Sequence, residues 1–98
     1  MPTIKFTDKG NRFDYEKTTK LGPAYKWSPN DKRGSHLHKT ASGNYIIENW
    51  SRWQGPGEGT DWVETSREEA KNIALKFWDW SEAVAEFPEL EKEYDDTY

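Results

Sequence analysis

Alternation between apolar and polar positions predicts the clearest β-structure in the middle of the chain. From Ser35 to Trp53, two runs flank Ala41-Ser42-Gly43-Asn44, which has the length and composition of a hairpin connection. Both faces of the second run carry large apolar groups. This fits either a central strand that is covered on one face and has a partly functional second face, or a bulge near Asn49 that redirects the tryptophans. After a glycine-rich loop over residues 54–60, Trp62-Val63-Glu64 predicts a third, antiparallel strand.

The N-terminal third has a weaker pattern. Thr3 to Thr7 alternates as a short edge strand does, whereas residues 8–33 are rich in Lys, Thr, Asn, Gly and Pro. Aromatic pairs spaced by two, Phe13/Tyr15 and Tyr25/Trp27, are typical of strand fragments between turns. We therefore expect residues 1–34 to form an extended, irregular and basic segment.

A helix is predicted next, because Ser66 and Glu69 have the spacing of a capping box. Apolar residues then continue at helical spacing, which predicts a helix from Arg67 to about Glu86 within a segment 66–87: Ala70, Ile73, Ala74, Phe77, Trp80 or Ser81, Val84 and Phe87. Pro88 marks its end. Residues 88–98 are acidic, and carboxylates at a helix C-terminus oppose the macrodipole, so this tail is expected to fray.

Together these elements predict a single α+β domain over residues 1–98. Residues 35–65 supply the β-hairpin and third strand of a small antiparallel sheet of three to five strands, packed on one C-terminal α-helix. The chain has 15 aromatic residues, among them six Trp. Aromatic rings bury large areas with few rotamers, so they are expected to supply most of the core.

Composition narrows the function classes. The chain has no Cys, which excludes disulfides, thiolate metal sites and a cysteine nucleophile. Residues 1–10 lack a secretory pattern, and no apolar run reaches the roughly 20 residues of a membrane span. We therefore expect a cytoplasmic protein with no membrane partner and no cofactor.

Charge is divided along the chain. Residues 1–40 carry a formal charge of +5 and residues 41–98 carry −9, within a net charge of −4. If the fold keeps these halves apart, one surface favours anionic partners and another favours cationic ones. The acidic run from Glu82 to Asp96 could form a surface that binds a basic protein, although most acidic runs contact only solvent.

Candidate binding residues follow from the tryptophans and the acidic helix. Trp50, Arg52, Trp53 and Trp62 surround the glycine-rich loop, where rings beside a flexible backbone can form a platform. Packing in the core is the competing interpretation. Trp78 lies off the helical stripe and is a candidate interface residue or a packing residue under the N-terminal segment. Glu82 and Glu86 complete the predicted contact set.

Two further hypotheses stay open. The basic residues of the N-terminal half, interleaved with aromatics, could bind nucleic acid, although no known nucleic-acid motif accompanies them. A small enzyme could use the His36/His38 pair for a metal, which would need a further ligand. The start Met1-Pro2-Thr3-Ile4 resembles that of the tautomerase family, and this resemblance implies that the Pro2 amine acts as a base. No repeated β-α-β pattern follows it.

From the sequence we therefore predict a small, non-enzymatic binding or regulatory protein that contacts another protein, of the kind found among accessory or mobile-element products. No metal or catalytic residue is assigned. Nucleic-acid binding and the small enzyme are the alternatives.

Overall fold

The computed structural model describes residues 3–28, 30, 32–51 and 60–93. It contains six strands, a single 3-10 turn at Tyr15–Lys17 and three helices in these ranges. The strands are β1 Ile4–Phe6, β2 Arg12–Asp14, β3 Thr19–Tyr25, β4 Arg33–Lys39, β5 Tyr45–Ser51 and β6 Thr60–Thr65; the helices are α1 Arg67–Phe77, α2 Trp80–Glu86 and α3 Leu90–Glu93.

The strands form a four-stranded antiparallel sheet in the order β3-β4-β5-β6 and a separate hairpin of β1 and β2. The helices pack on one face of the larger sheet. This confirms the predicted α+β class. The predicted hairpin is β4 and β5, whose turn places Gly43 at a φ of 89°, a conformation that favours glycine. The predicted third strand is β6, which pairs with β5.

Strand β5 is central, and its pairing with β4 and β6 continues in register from Tyr45 to Trp50. Successive side chains of a strand point to opposite faces. Tyr45 and Ile46 are nevertheless both buried. The apolar residues on both faces of this run therefore reflect a strand covered on both sides, and the alternative of a bulge near Asn49 is wrong.

On one face, the core joins the sheet to the helices. Leu37 and Tyr45 contribute from the sheet, and three alanines contribute from the helices together with Phe87 and Leu90. The alanines are Ala70 and Ala74 of α1 and Ala83 of α2. Small side chains at these positions let the helix backbones approach closely, and large rings fill the remaining space.

On the other face, the β1-β2 hairpin covers the sheet. Phe13 of β2 packs edge-on against Trp62 of β6, with ring centroids 5.2 Å apart, and Ile46 belongs to the same buried cluster. Tyr15 lies 5.3 Å from the Trp62 ring. The predicted short strand at Thr3–Thr7 is confirmed as β1, and the fragments at Phe13/Tyr15 and Tyr25/Trp27 overlap β2 and the end of β3. The expectation that residues 1–34 are irregular is wrong, because these strands are paired. Their pairing depends on distant partners and on Gly10, at a φ of 83°, which a local pattern does not reveal.

The predicted start of the helix is confirmed, since Ser66 Oγ accepts from the Glu69 N–H at 3.1 Å. The predicted single helix from Arg67 to about Glu86 is wrong. Trp78 has an extended backbone and separates α1 from α2. Its indole N–H donates to the Pro23 C=O at 2.8 Å and lies over Gly22, so the chain leaves the helix to anchor this ring on β3.

The predicted fraying of residues 88–98 is also wrong for the part that the structure describes. Leu90 is fully buried in the helix-side core. Lys71 Nζ of α1 donates to both carboxylate oxygens of Glu93 at 3.1 Å. One apolar anchor and one ion pair thus hold α3 on α1. Residues 94–98 lie outside the described residues.

Both edges of the four-stranded sheet are obstructed. Along β6, the Asp8 N–H donates to the Trp62 C=O at 2.8 Å, and Asp8 Oδ1 accepts from the Glu64 N–H at 3.0 Å. Along β3, the pairing register shifts before Gly22 and again after Pro23, which offers no N–H. Bulges, proline and covering groups are the usual protection of sheet edges against other strands.

Within the described ranges, no helix is long and apolar enough to cross a membrane.

Close packing of Trp78 on Gly22 predicts that Gly22→Ala lowers the free energy of unfolding by about 1–3 kcal/mol. A Cβ at this position would stand 2.7 Å from the Trp78 Nε1 atom, which requires the indole to move. Urea unfolding measures the loss. The same substitution in a Trp78→Ala background should cost much less, because the obstructing ring is gone. Equal costs in the two backgrounds would contradict this packing.

Burial of Leu90 predicts that Leu90→Ala lowers the free energy of unfolding by about 2–4 kcal/mol, the range of a large-to-small core substitution. The exposed neighbour Glu91 provides the matched control, and Glu91→Ala should change stability by less than about 0.5 kcal/mol. Thermal or urea unfolding of both variants checks this. Equal, small effects would mean that α3 does not dock.

Candidate binding surface

The candidate site lies where β3 and β5 end and β4 and β6 begin. The described chain leaves this end of the sheet at Ser51 and returns at Thr60, on either side of residues 52–59. Five residues define a surface here, called the aromatic end below: Tyr25, Trp27, Arg33, Trp50 and Phe77.

A row of one exposed ring and two half-buried rings forms the first part of the aromatic end. Tyr25 is 51% exposed, and its ring lies 4.7 Å from that of Trp27 and 5.7 Å from that of Phe77. The guanidinium carbon of Arg33 stands 5.2 Å from the centre of the Trp27 ring. The row therefore combines tilted and edge-to-face ring contacts with a cation–π contact.

A chain of hydrogen bonds fixes Trp27. Its indole N–H donates to Ser35 Oγ at 2.9 Å, and the Ser35 hydroxyl donates to Asn49 Oδ1 at 2.6 Å. Ser35 is buried and faces Asn49 across β4 and β5. The ring is thus held by two central strands, although residue 27 follows the end of β3.

Trp50 approaches the same end from the opposite face. Its indole lies across Gly34, where any Cβ would overlap the ring. Since Gly34 and Ser35 are neighbours in β4, their side-chain positions point to opposite faces, and so do the two tryptophans. Both tryptophans line an open cleft of about 300 Å³ at this end of the sheet, together with Arg33, Asn49 and Asp61.

The predicted contact residues do not come together in one place. Trp50 belongs to the aromatic end, whereas Trp62 is buried beneath the hairpin and Trp78 is half-buried against β3. The packing interpretation is correct for these last two rings. Arg52 and Trp53 lie outside the described residues.

The predicted acidic contacts also differ from each other. Glu82 is exposed on α2. Glu86 accepts from Lys39 Nζ at 2.9 Å and from the Tyr45 hydroxyl at 2.7 Å. This carboxylate therefore ties α2 to β4 and β5 and already has two partners.

The two rings of the His36/His38 pair differ in burial, since His38 is buried and His36 is half-buried. His38 is almost fully buried, with Nε2 2.9 Å from Glu48 Oε1 and Nδ1 3.3 Å from Thr18 Oγ1. Both ring nitrogens thus have protein partners. Burial, followed by the nearby charge of Lys20, lowers the pKa of His36. Its Nδ1 is buried without a partner among the described residues.

Across the described ranges, no group of three His, Cys, Asp or Glu side chains is arranged to hold a metal ion. Pro2, on which the alternative of a proline base depends, lies outside these ranges.

Four residues of the aromatic end are absent from the contact set that the sequence predicts: Tyr25, Trp27, Arg33 and Phe77. The available signal was the i, i+2 spacing of Tyr25 and Trp27 directly before a turn. That spacing indicates a strand fragment, but it does not show that the fragment ends at the same end of the sheet as Ser51 and Thr60. Only the pairing of β3 with β4 brings these segments together.

Comparisons with protein-family models, with curated proteins and with solved structures find no match to this chain.

The hydrogen bond from Tyr45 to Glu86 predicts that the free energy of unfolding depends on pH. Burial, followed by the hydrogen bond to Glu86, raises the pKa of Tyr45 from 10.0 to about 12. A pKa that rises on folding stabilises the protein fully below the unfolded value, and this stability is lost as the pH rises from about 10 towards 12. Tyr45→Phe should therefore show a smaller decline in unfolding free energy across this window. Tyrosinate absorbance and urea unfolding measure the two effects, and identical declines would contradict the coupling.

Proposed function

We propose that this chain is a non-catalytic binding or regulatory protein that recognises another protein through the aromatic end. The observation that carries the proposal is the row in which the exposed Tyr25 ring packs at a tilt of 60° against the half-buried Trp27 ring and the Arg33 guanidinium lies over Trp27. Trp, Tyr and Arg are the residues most enriched at interaction hot spots. Their clustering on one exposed surface is the composition expected at the centre of an interface.

Rigidity supports the same proposal. Trp27 is held by its hydrogen bond to Ser35 and by the Arg33 guanidinium, so little side-chain freedom is left to lose when a partner binds.

The cleft beside Trp27 supports the proposal as well. Its volume of about 300 Å³ is at the lower limit of small-molecule pockets, and one anchoring side chain of a partner would fit it. Asp61 lines the cleft, and Lys76 lies near Phe77, which supplies polar groups for a rim.

The setting that we propose is the cytoplasm, since the chain uses no cysteine. An accessory or mobile-element role would suit a small protein whose activity consists of covering a partner's surface.

Nucleic-acid binding is the second candidate, favoured by the position of Lys26 and Arg33 beside exposed rings. Bases stack on such rings in single-stranded nucleic-acid sites, and cations follow the phosphates. The two candidates differ in salt dependence, because phosphate contacts release counterions and lose affinity steeply as salt increases.

The decisive experiment combines photo-cross-linking with affinity measurement. A photoreactive phenylalanine at position 25 identifies the partner in cells that naturally express the protein, and titration calorimetry then measures its affinity for purified variants. We expect Trp27→Ala to weaken binding about 30-fold or more, the effect of losing a hot-spot residue of about 2 kcal/mol. Tyr25→Phe keeps the ring and serves as the matched control, with an expected change below about threefold.

Thermal unfolding must first show that Trp27→Ala remains folded. If the folded variant binds its partner as tightly as the wild type, the aromatic end is not the binding surface. A cross-linked nucleic acid, with affinity that falls steeply with salt, would replace protein binding with the second candidate.

A further inference from the structure

The outer edge of β1 differs from both edges of the larger sheet. Ile4, Lys5 and Phe6 are all exposed, and β1 contains neither a proline nor a shift in its pairing with β2. The larger sheet obstructs its edges with Asp8 on one side and with Pro23 and Trp78 on the other. Among the described residues, none pairs with the outer edge of β1.

The hydrogen bonds to β2 determine which backbone groups β1 leaves open. The Tyr15 N–H donates to the Thr3 C=O, and the Thr7 N–H donates to the Asn11 C=O, each at 2.8 Å. In an antiparallel pair, every second residue is hydrogen-bonded to the partner strand. Thr3 and Thr7 are bonded to β2, so Lys5, midway between them, is bonded to β2 as well. Ile4 and Phe6 therefore direct their N–H and C=O groups away from β2, where a further strand would bind.

Side chains along β1 present an alternating pattern to such a strand. Ile4 is 44% exposed and Phe6 is 61% exposed, and by register they share the outer face of the hairpin with Asp14 and Arg12. Lys5 lies on the inner face, beside Phe13. Adjacent strands on a shared face gain from apolar pairs and from opposite charges.

Lys5 disfavours a second copy of this chain as the occupant. In the symmetric antiparallel register, Ile4 would pair with Phe6 of the second copy, and the two Lys5 side chains would face each other at about 4.5–5.5 Å, which is destabilising for like charges. A carboxylate opposite Lys5 would be attractive instead. Across the described ranges, no carboxylate lies within ion-pair distance of Lys5.

Two carboxylates near Lys5 already have partners. Glu16 and Glu48 line an open cleft together with Lys5. Glu16 accepts from Thr3 Oγ1, and Glu48 pairs with His38. Lys5 therefore remains available as the charged contact for an incoming strand.

We propose that β1 is a strand-addition site for an extended segment of a partner protein in which apolar, acidic and apolar residues follow one another. The backbone of this segment bonds to Ile4 and Phe6, its apolar side chains lie beside theirs, and its Asp or Glu lies opposite Lys5. Main-chain bonds supply affinity in strand addition, and alternate side chains supply specificity. The site is separate from the aromatic end and does not depend on the proposed function of that surface.

The test uses the full chain and two labelled synthetic peptides that differ at one position, acetyl-Thr-Val-Glu-Val-Thr-amide and its Lys counterpart. Fluorescence anisotropy measures binding, and NMR amide shifts locate it. We expect the Glu peptide to bind about fivefold tighter than the Lys peptide, and Lys5→Glu to reverse this preference. Lys9→Glu makes the same charge change in the hairpin turn and should preserve the preference.

Phe6→Pro tests the backbone contact. It removes an N–H that points away from β2 and keeps the bonds between β1 and β2, so the Glu peptide should bind about fivefold more weakly to this variant than to Phe6→Ala, which loses the same ring but keeps the N–H. Lys5→Glu retains every backbone group and keeps the test valid if the proline variant does not fold.

Three results would overturn the proposal. The first is equal affinity for both peptides, or no binding of either at millimolar concentration. The second is a preference that is unchanged by Lys5→Glu but lost in Trp27→Ala, which would move the peptide to the aromatic end. The third is a dimer in sedimentation that Phe6→Pro abolishes, since the occupant would then be a second copy.

Discussion

The fold depends on two adjacent residues of one strand. Tyr45 and Ile46 point to opposite faces of β5, and both are buried, so water has to be excluded from both sides of the sheet at the same position. A sheet of four short strands cannot do this alone. The β1-β2 hairpin covers the Ile46 side and the helices cover the Tyr45 side. The chain is therefore a three-layer structure with a thin sheet in the middle.

Aromatic rings make such thin layers possible in a chain with few aliphatic residues. Phe13 and Trp62 fill the hairpin side, while Phe87 and the Trp78 ring fill the helix side. Alanines bring α1 close to the sheet, and one carboxylate, Glu86, joins α2 to two strands. Tyr25, Trp27 and Trp50, which neither layer fully encloses, lie at the end of the sheet where β3 and β5 end. There they are held in place by Ser35 and Gly34, so the aromatic end is an ordered extension of the core.

Local sequence signals predicted what depends on neighbouring residues. The β4-β5 hairpin follows from its turn, the start of α1 follows from Ser66 and Glu69, and the α+β class follows from the order of these elements. Features that depend on distant contacts were not predictable. The break after Phe77 exists because Trp78 bonds to Pro23, 55 residues earlier in the chain. Leu90 is buried in the helix-side core, although its neighbours in the sequence are acidic. The candidate site was predicted only in part for the same reason. Trp50 was predicted because it precedes the glycine-rich loop in the sequence, whereas Tyr25 and Trp27 are brought to the same end of the sheet only by strand pairing.

The order of the layers along the chain has a consequence for synthesis on the ribosome. The hairpin that covers Ile46 is made before β5, so this face meets its cover as soon as β6 emerges with Trp62. The face that carries Leu37 and Tyr45 waits for α1, α2 and finally Leu90. During this interval a nascent chain presents a half-finished sheet with one apolar side open to water. Charged residues are dense in the segments that close it, and they keep those segments hydrated until the alanine, phenylalanine and leucine side chains dock. The helix side of the sheet therefore stays open to water longer during synthesis than the hairpin side does.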